Sequence, residues 1–126
     1  KVALLYLDTL GNPYVFNPAH EDWSSVKQYE TISPDYLSGG AIVTNLIISV
    51  EANSVIIDTT TVPKELTVLT GTASAVSAVI YADTGELDSE KLLISHIDFG
   101  AALTSESAPF KLNWDDGGIL IAQVNS

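Results

Sequence analysis

AVSAVIYADTGELDSEKLLISHIDFG, from Ala75 to Gly100, and PFKLNWDDGGILIAQV, from Pro109 to Val124, decide the fold class of this chain. Apolar runs of strand length are separated by short acidic turns that carry glycine. Phe110, Leu112 and Trp114 alternate with Lys111 and Asn113, the period of two that a half-buried strand requires. Strands are expected over Ser74–Ala82, Lys91–Phe99, Phe110–Trp114 and Ile119–Val124, joined as a meander. Turns are expected at Asp83-Thr84-Gly85-Glu86 and at Asp115-Asp116-Gly117-Gly118, where glycine supplies positive φ.

The same reading extends toward the N-terminus. Val2–Leu7 is an apolar run closed by Asp8-Thr9-Leu10-Gly11-Asn12-Pro13, a strong turn cluster. Tyr14–Phe16 is a short second strand ended by Asn17-Pro18. His20–Glu30 is the one helical stretch, because Trp23, Val26 and Tyr29 recur every third residue. Ile32–Gly40 is a loop. Ala41–Ala52 is a long strand turning at Asn53-Ser54 into Val55–Ile57, and Glu65–Leu69 is a further strand. Pro63 excludes a central strand over Asp58–Pro63, and Gly71-Thr72 resets the chain. The expectation is a single all-β domain over residues 1–126: an antiparallel β-sandwich or small barrel of about eight short strands with one helical turn near residues 20–30.

Composition narrows the function. Sixteen acidic residues against five lysines, with no arginine, give a net charge of −11. Nucleic-acid and phosphate recognition needs cationic side chains, so such partners are not expected. An anionic membrane surface repels the chain, and no apolar run is long enough to span a bilayer. Partners are expected among neutral or basic protein surfaces, cations and neutral glycans. Cysteine is absent, which removes disulfides, thiolate nucleophiles and Cys-based metal sites. Methionine is absent as well and the chain opens at Lys1, so a segment upstream is expected. Val2–Leu5 itself reads as a strand, not a signal peptide.

Each chemically suggestive group has a plainer reading beside it. Asp115 and Asp116 can offer oxygens to Ca²⁺, but they lack EF-hand spacing and suit a hairpin turn. Asp83, Glu86, Asp88 and Glu90 can hold a cation or meet a basic partner, yet they also suit a solvated turn. His20 and His96 are the only histidines. A zinc site needs both together with carboxylates. Asp98 shares the strand face of His96 and can orient its imidazole for acid–base work, but no nucleophile signature accompanies them. Paired carboxylates for glycoside hydrolysis would need a deep cleft, which a chain this short does not readily build. Trp23 can stack on a sugar if exposed, and otherwise anchors its helical turn onto the sheet. No catalytic residues, cofactor or metal are expected. Val76, Ala78 and Ile80 lie against Val79 and Tyr81, and Leu92 and Ile94 against Leu93, Ile97 and Phe99, so these strands are apolar on both faces. They are either covered by another layer or meet a partner.

Several segments, in order, resemble a family of small virion proteins of tailed phages and prophages. Lys1-Val2-Ala3-Leu4-Leu5 is similar to its opening strand. Tyr14-Val15-Phe16-Asn17-Pro18-Ala19-His20, with Val26, is similar to its Y-x-F-N-x-x-H stretch. Glu30 and Tyr36-Leu37-Ser38-Gly39-Gly40 stand where the family has a glutamate and a Y-x-x-G-G loop. Ala78–Gly85 and Leu93–Gly100 resemble its A-V-x-Y-x-D-T-G and L-I-x-x-I-D-F-G segments. Phe110–Trp114 with Gly118-Ile119-Leu120 resembles its close. Asp58–Leu69 departs from the pattern, matched only by Ile57-Asp58 and scattered residues.

The resemblance implies a non-enzymatic virion protein and supplies no catalytic residues. The expected role is capsid decoration: a cement protein on the outer surface of the shell, bound to the major capsid protein and to copies of itself as a trimer or other ring. Tail, neck or baseplate placement, and a carbohydrate- or receptor-binding module, are the alternatives. Tyr6, Tyr14, Phe16 and Trp23 are the expected partner-binding anchors, because aromatics dominate interface hot spots.

Overall fold

The computed structural model describes residues 1–51, 54–60, 65–113 and 120–123. They form an all-β protein of two antiparallel sheets. In chain order the strands are β1 (Val2–Leu5), β2 (Leu46–Glu51), β3 (Ser54–Thr59), β4 (Glu65–Tyr81), β5 (Leu93–Asn113) and β6 (Leu120–Gln123). One helical turn, α1 (Trp23–Val26), runs into a 3-10 turn over Lys27–Tyr29, where the spacing of Trp23, Val26 and Tyr29 predicts it.

The first sheet has the order β1-β4-β5. Its β1 is wholly apolar and all four residues are buried. Successive side chains point to opposite faces, so Val2 and Leu4 enter one core and Ala3 and Leu5 the other. The first core adds Tyr36, Val68, Leu69, Ala78, Ile80 and Phe110. The second adds Tyr14, Trp23, Val26, Val79 and Tyr81. The two-faced apolar pattern of Val76–Tyr81 is therefore met by cover from within the chain. Residues 14–41 provide that cover and also shield the free side of β1. Val2 and Ala41 exchange backbone hydrogen bonds at 2.8 and 2.9 Å, the Thr31 N–H donates to the Leu4 carbonyl at 2.9 Å, and the Tyr6 N–H to that of Tyr29 at 2.7 Å.

The strands β4 and β5 are 17 and 21 residues long, where about 5–6 is usual. The break expected at Gly71-Thr72 is instead a bulge within one strand. The register shifts there, Gly71 adopts φ +143, and a Cβ on it would fall 2.4 Å from the Asp35 carboxylate. Likewise Lys91–Phe99 and Phe110–Trp114 are not two strands: β5 runs through both as far as Asn113. Opposite Val76 the strand bulges strongly, since Ala75 pairs with Leu103 but Ser77 with Asp98. The intervening Phe99-Gly100-Ala101-Ala102 bows outward. Gly100 takes φ +78, its N–H donates to the Asp98 carboxylate at 2.8 Å, and Phe99 turns back toward Phe110 with ring centroids 6.0 Å apart. The described residues hold six strands, two of them long because of these mergers. Tyr14–Phe16 also forms no strand; it is held by the Tyr14 N–H on the Tyr6 carbonyl and a bridge between Leu7 and Pro13.

The second sheet has the order β2-β3-β6. Here the meander expectation is corrected. β6 does not fold back on β5 but pairs antiparallel with β3, Ile57 opposite Leu120 through Ser54 opposite Gln123. The pairing of β2 with β3 is free of bulges from Leu46 opposite Thr59 to Glu51 opposite Ser54. The turn expected at Asn53-Ser54 lies partly, and that at Asp115–Gly118 wholly, outside the described residues.

Candidate functional site

The acidic loop between β4 and β5 was a candidate cation site, but its carboxylates have other work. Asp83 meets Nζ of Lys1 at 3.1 Å and of Lys91 at 3.5 Å, and Asp88 meets Nζ of Lys27 at 2.8 Å and of Lys91 at 3.3 Å. The hydrogen bond from Lys1 is the chief cause holding the Asp83 carboxyl below its usual range, and that from Lys27 is the chief cause for Asp88. Glu90 accepts the Glu86 N–H at 2.9 Å and fixes the turn at Gly85, where φ is +78 and a Cβ would strike the Glu90 side chain. The loop thus ties the chain start and α1 to the hairpin. Among the described residues no group of three or more His, Asp or Glu side chains is placed to hold a metal ion. Asp115 and Asp116 lie outside the described residues.

A second polar cluster explains Glu30 and the Tyr36–Gly40 loop. The Glu30 carboxylate accepts the Tyr36 hydroxyl and the Gly39 N–H, each at 2.7 Å. The Tyr36 oxygen accepts the buried Leu4 N–H at 3.2 Å, and the Tyr81 hydroxyl donates to the Gly39 carbonyl at 2.5 Å. Burial, with the Glu30 charge beside it, drives the Tyr36 hydroxyl far above its ordinary pKa. Burial also pushes Tyr81 up to about 12, helped by Asp83. Gly40 takes φ +88, and a Cβ there would lie 2.0 Å from the Val2 carbonyl oxygen. The loop is a clamp across β1.

The fold brings both histidines to one cavity of about 150 Å³, lined by Tyr14, Phe16, His20, Leu93, Ser95 and His96 among others. The His96 ring stacks on Phe16 at 5.1 Å and meets Tyr14 edge-on at 5.5 Å. The Tyr14 hydroxyl lies 3.1 Å from Nδ1 of His20. Nε2 of His96 is shielded and without a hydrogen-bond partner. Burial lowers the His96 pKa, against an opposing pull from Asp98. The imidazole is therefore neutral at pH 7. The Asp98 carboxylate, expected to orient it, accepts the Gly100 N–H of the bulge instead. This is an aromatic stack with a neutral imidazole in it.

The four expected anchors separate. Trp23 is 3% exposed and stacks on Tyr81 at 4.6 Å, so it anchors α1 to the sheet and offers no face to a sugar or partner. Tyr14 is buried in the same core. Tyr6 is half-buried, and Phe16, 56% exposed, reaches the surface. The sequence reading missed β2 as a surface. Leu46 is 53%, Ile47 45% and Val50 73% exposed, on both faces of the strand. The lack of charge in Ala41–Val50 was the available signal.

Compared with protein-family models, with curated proteins and with solved structures, the chain finds no match. Among the described residues no helix is long and apolar enough to cross a membrane.

Proposed function

We propose that this chain is a non-catalytic structural protein of a tailed-phage virion, a decoration protein seated on the outer surface of the major capsid protein shell as a homo-oligomer. The observation that carries the structural role is the strand β2, whose Leu46, Ile47 and Val50 are exposed, while the first sheet covers its own core. Contiguous exposed apolar surface of this kind marks assembly contacts. The His96 stack and the acidic loop are engaged in holding the fold. The likeness to small virion proteins supports the phage setting. The net charge of −11 favours the outside of the shell, away from packaged DNA, and a neutral or basic capsid surface complements it. Phe16 and its exposed neighbour Val15 replace Trp23 and Tyr14 as the aromatic-edge contact. Quantitative mass spectrometry of purified particles tests the assignment. A copy number near one per major capsid protein, or a simple fraction of it, is expected. A dozen copies or fewer would move the protein to tail or neck, and absence from the particle would reject a virion role.

A further inference from the structure

The outer edge of β2 has no neighbouring strand among the described residues, because β2 pairs with β3 alone. Monomeric proteins blunt such edges with lysine, proline, bulges or very short strands, since unpaired backbone groups recruit another strand. Leu46-Ile47-Ile48-Ser49-Val50-Glu51 uses none of these devices: it has no lysine or proline, its register with β3 is unbroken, and it runs for six residues. The long hairpin of β4 and β5, by contrast, is bulged at several points. A straight edge with apolar side chains exposed on both faces is built to be paired.

Charge identifies the occupant. Two copies of a chain at −11 repel each other over most of their surface. Residues 41–50 contain no charged side chain, and Glu51 is the single charge in β2. This stretch is where like-charged copies can approach. Its order of residues is also self-complementary. Antiparallel pairing about a twofold axis through Ile48 sets Leu46 of one copy opposite Val50 of the other, and Ile47 opposite Ser49. The exposed Leu46 and Val50 then cover each other, while the two Glu51 residues lie at opposite ends. Parallel pairing in register would stack Glu51 on Glu51, which is unfavourable. A twofold contact also closes on itself and does not propagate into fibres.

We infer that β2 is a self-association edge: two copies of this chain join antiparallel through Leu46–Glu51 into one continuous sheet. The inference deepens the assembly role proposed for this sheet, and its test uses the isolated chain, so it stands or falls separately from copy number on particles. Sedimentation equilibrium of the full chain at micromolar concentrations should give a species of twice 13.4 kDa. Val50→Lys places a charge on an exposed edge position and should give a monomer with an unchanged circular dichroism spectrum. The chain has no cysteine, so engineered thiols report the geometry. Proteins carrying Leu46→Cys and Val50→Cys should form a disulfide dimer when mixed and oxidised, because cross-strand Cα atoms lie roughly 5 Å apart. Each alone should stay uncross-linked, its thiols roughly 13 Å apart, four residues along the strand. A wild-type chain monomeric throughout would overturn the inference. So would an oligomer unaffected by Val50→Lys, or self-cross-linking of each single variant, which would mean parallel pairing.

Discussion

A methyl group on Gly40 would be driven into the Val2 carbonyl, 2.0 Å away, at a residue already at φ +88. Neither the strand nor the loop can yield without breaking the Val2–Ala41 hydrogen bonds. Gly40→Ala should therefore cost about 2–4 kcal/mol, read as a lower urea midpoint with an unchanged m-value. Tyr36→Phe removes the acceptor of a buried Leu4 N–H and should cost about 1–3 kcal/mol by the same measurement. The raised pKa values of Tyr36 and Tyr81 add a pH signature. Both hydroxyls keep their protons in the folded chain at a pH where the unfolded chain loses them. Stability is thus intact below pH 10 and should fall as pH rises from 10 toward 12. His96 acts at the other end. Its folded pKa lies below the ordinary 6.5, so the unfolded chain takes up the proton first as pH falls. Thermal melts should show stability dropping below about pH 6.5, well above the range in which Asp83 and Asp88 protonate. His96→Phe, which removes the unpartnered Nε2, should flatten that part of the profile.

Protection of backbone amides should divide the strands. The Ser77–Ile80 part of β4 is bonded to β1 on one side and β5 on the other and is buried on both faces. Among the described residues the strand β2 is bonded on one side only, and its Leu46, Ile47 and Val50 are exposed. Native-state hydrogen exchange at concentrations that keep the chain monomeric should find the β4 amides opening only with global unfolding, and the β2 amides opening at much lower free energy. Equal protection would mean that the second sheet is part of the same cooperative unit. The same contrast explains what could be read in advance. Local patterns located β1, the Val55–Ile57 part of β3, α1 and the strand segments within β4 and β5, because alternation and turn residues are written locally. The strand β3 itself continues through Asp58 and Thr59, which pair with Ile47 and Leu46 where Pro63 argues against a central strand. Gly71 reads as a break, yet a bulge absorbs it, because the Asp35 carboxylate accepts the Thr72 N–H at 2.9 Å and holds the chain in place. The partner of β6 was not legible. Ile119–Val124 pairs equally well on paper with any apolar strand, and only the long β4–β5 hairpin carries it to β3. The burial of Trp23 was readable from its spacing with Val26. The burial of Tyr14 was not, since it depends on residues 14–41 wrapping β1.

At the scale of the whole molecule, the two proposed contacts respond oppositely to salt. Four lysines of the described residues, Lys1, Lys27, Lys91 and Lys111, are paired with carboxylates, while Leu46–Val50 of β2 carries no charged side chain. Self-association through β2 brings two chains of charge −11 together across an uncharged apolar edge. Screening weakens their mutual repulsion while the apolar contact is unaffected, and the Debye length falls from about 30 Å at 0.01 M to about 10 Å at 0.1 M salt. The dimer should therefore tighten as sodium chloride rises from 10 to 200 mM. Docking of the acidic surface on a basic capsid face draws on attraction between unlike charges and should weaken over the same range. Sedimentation of the free chain and retention of the protein on particles, measured across one salt series, should give slopes of opposite sign. If the free chain dissociates with added salt, its association runs through charged groups and not through the apolar edge of β2. If retention on particles instead strengthens with salt, the capsid contact is apolar, and β2 itself becomes the surface that meets the shell.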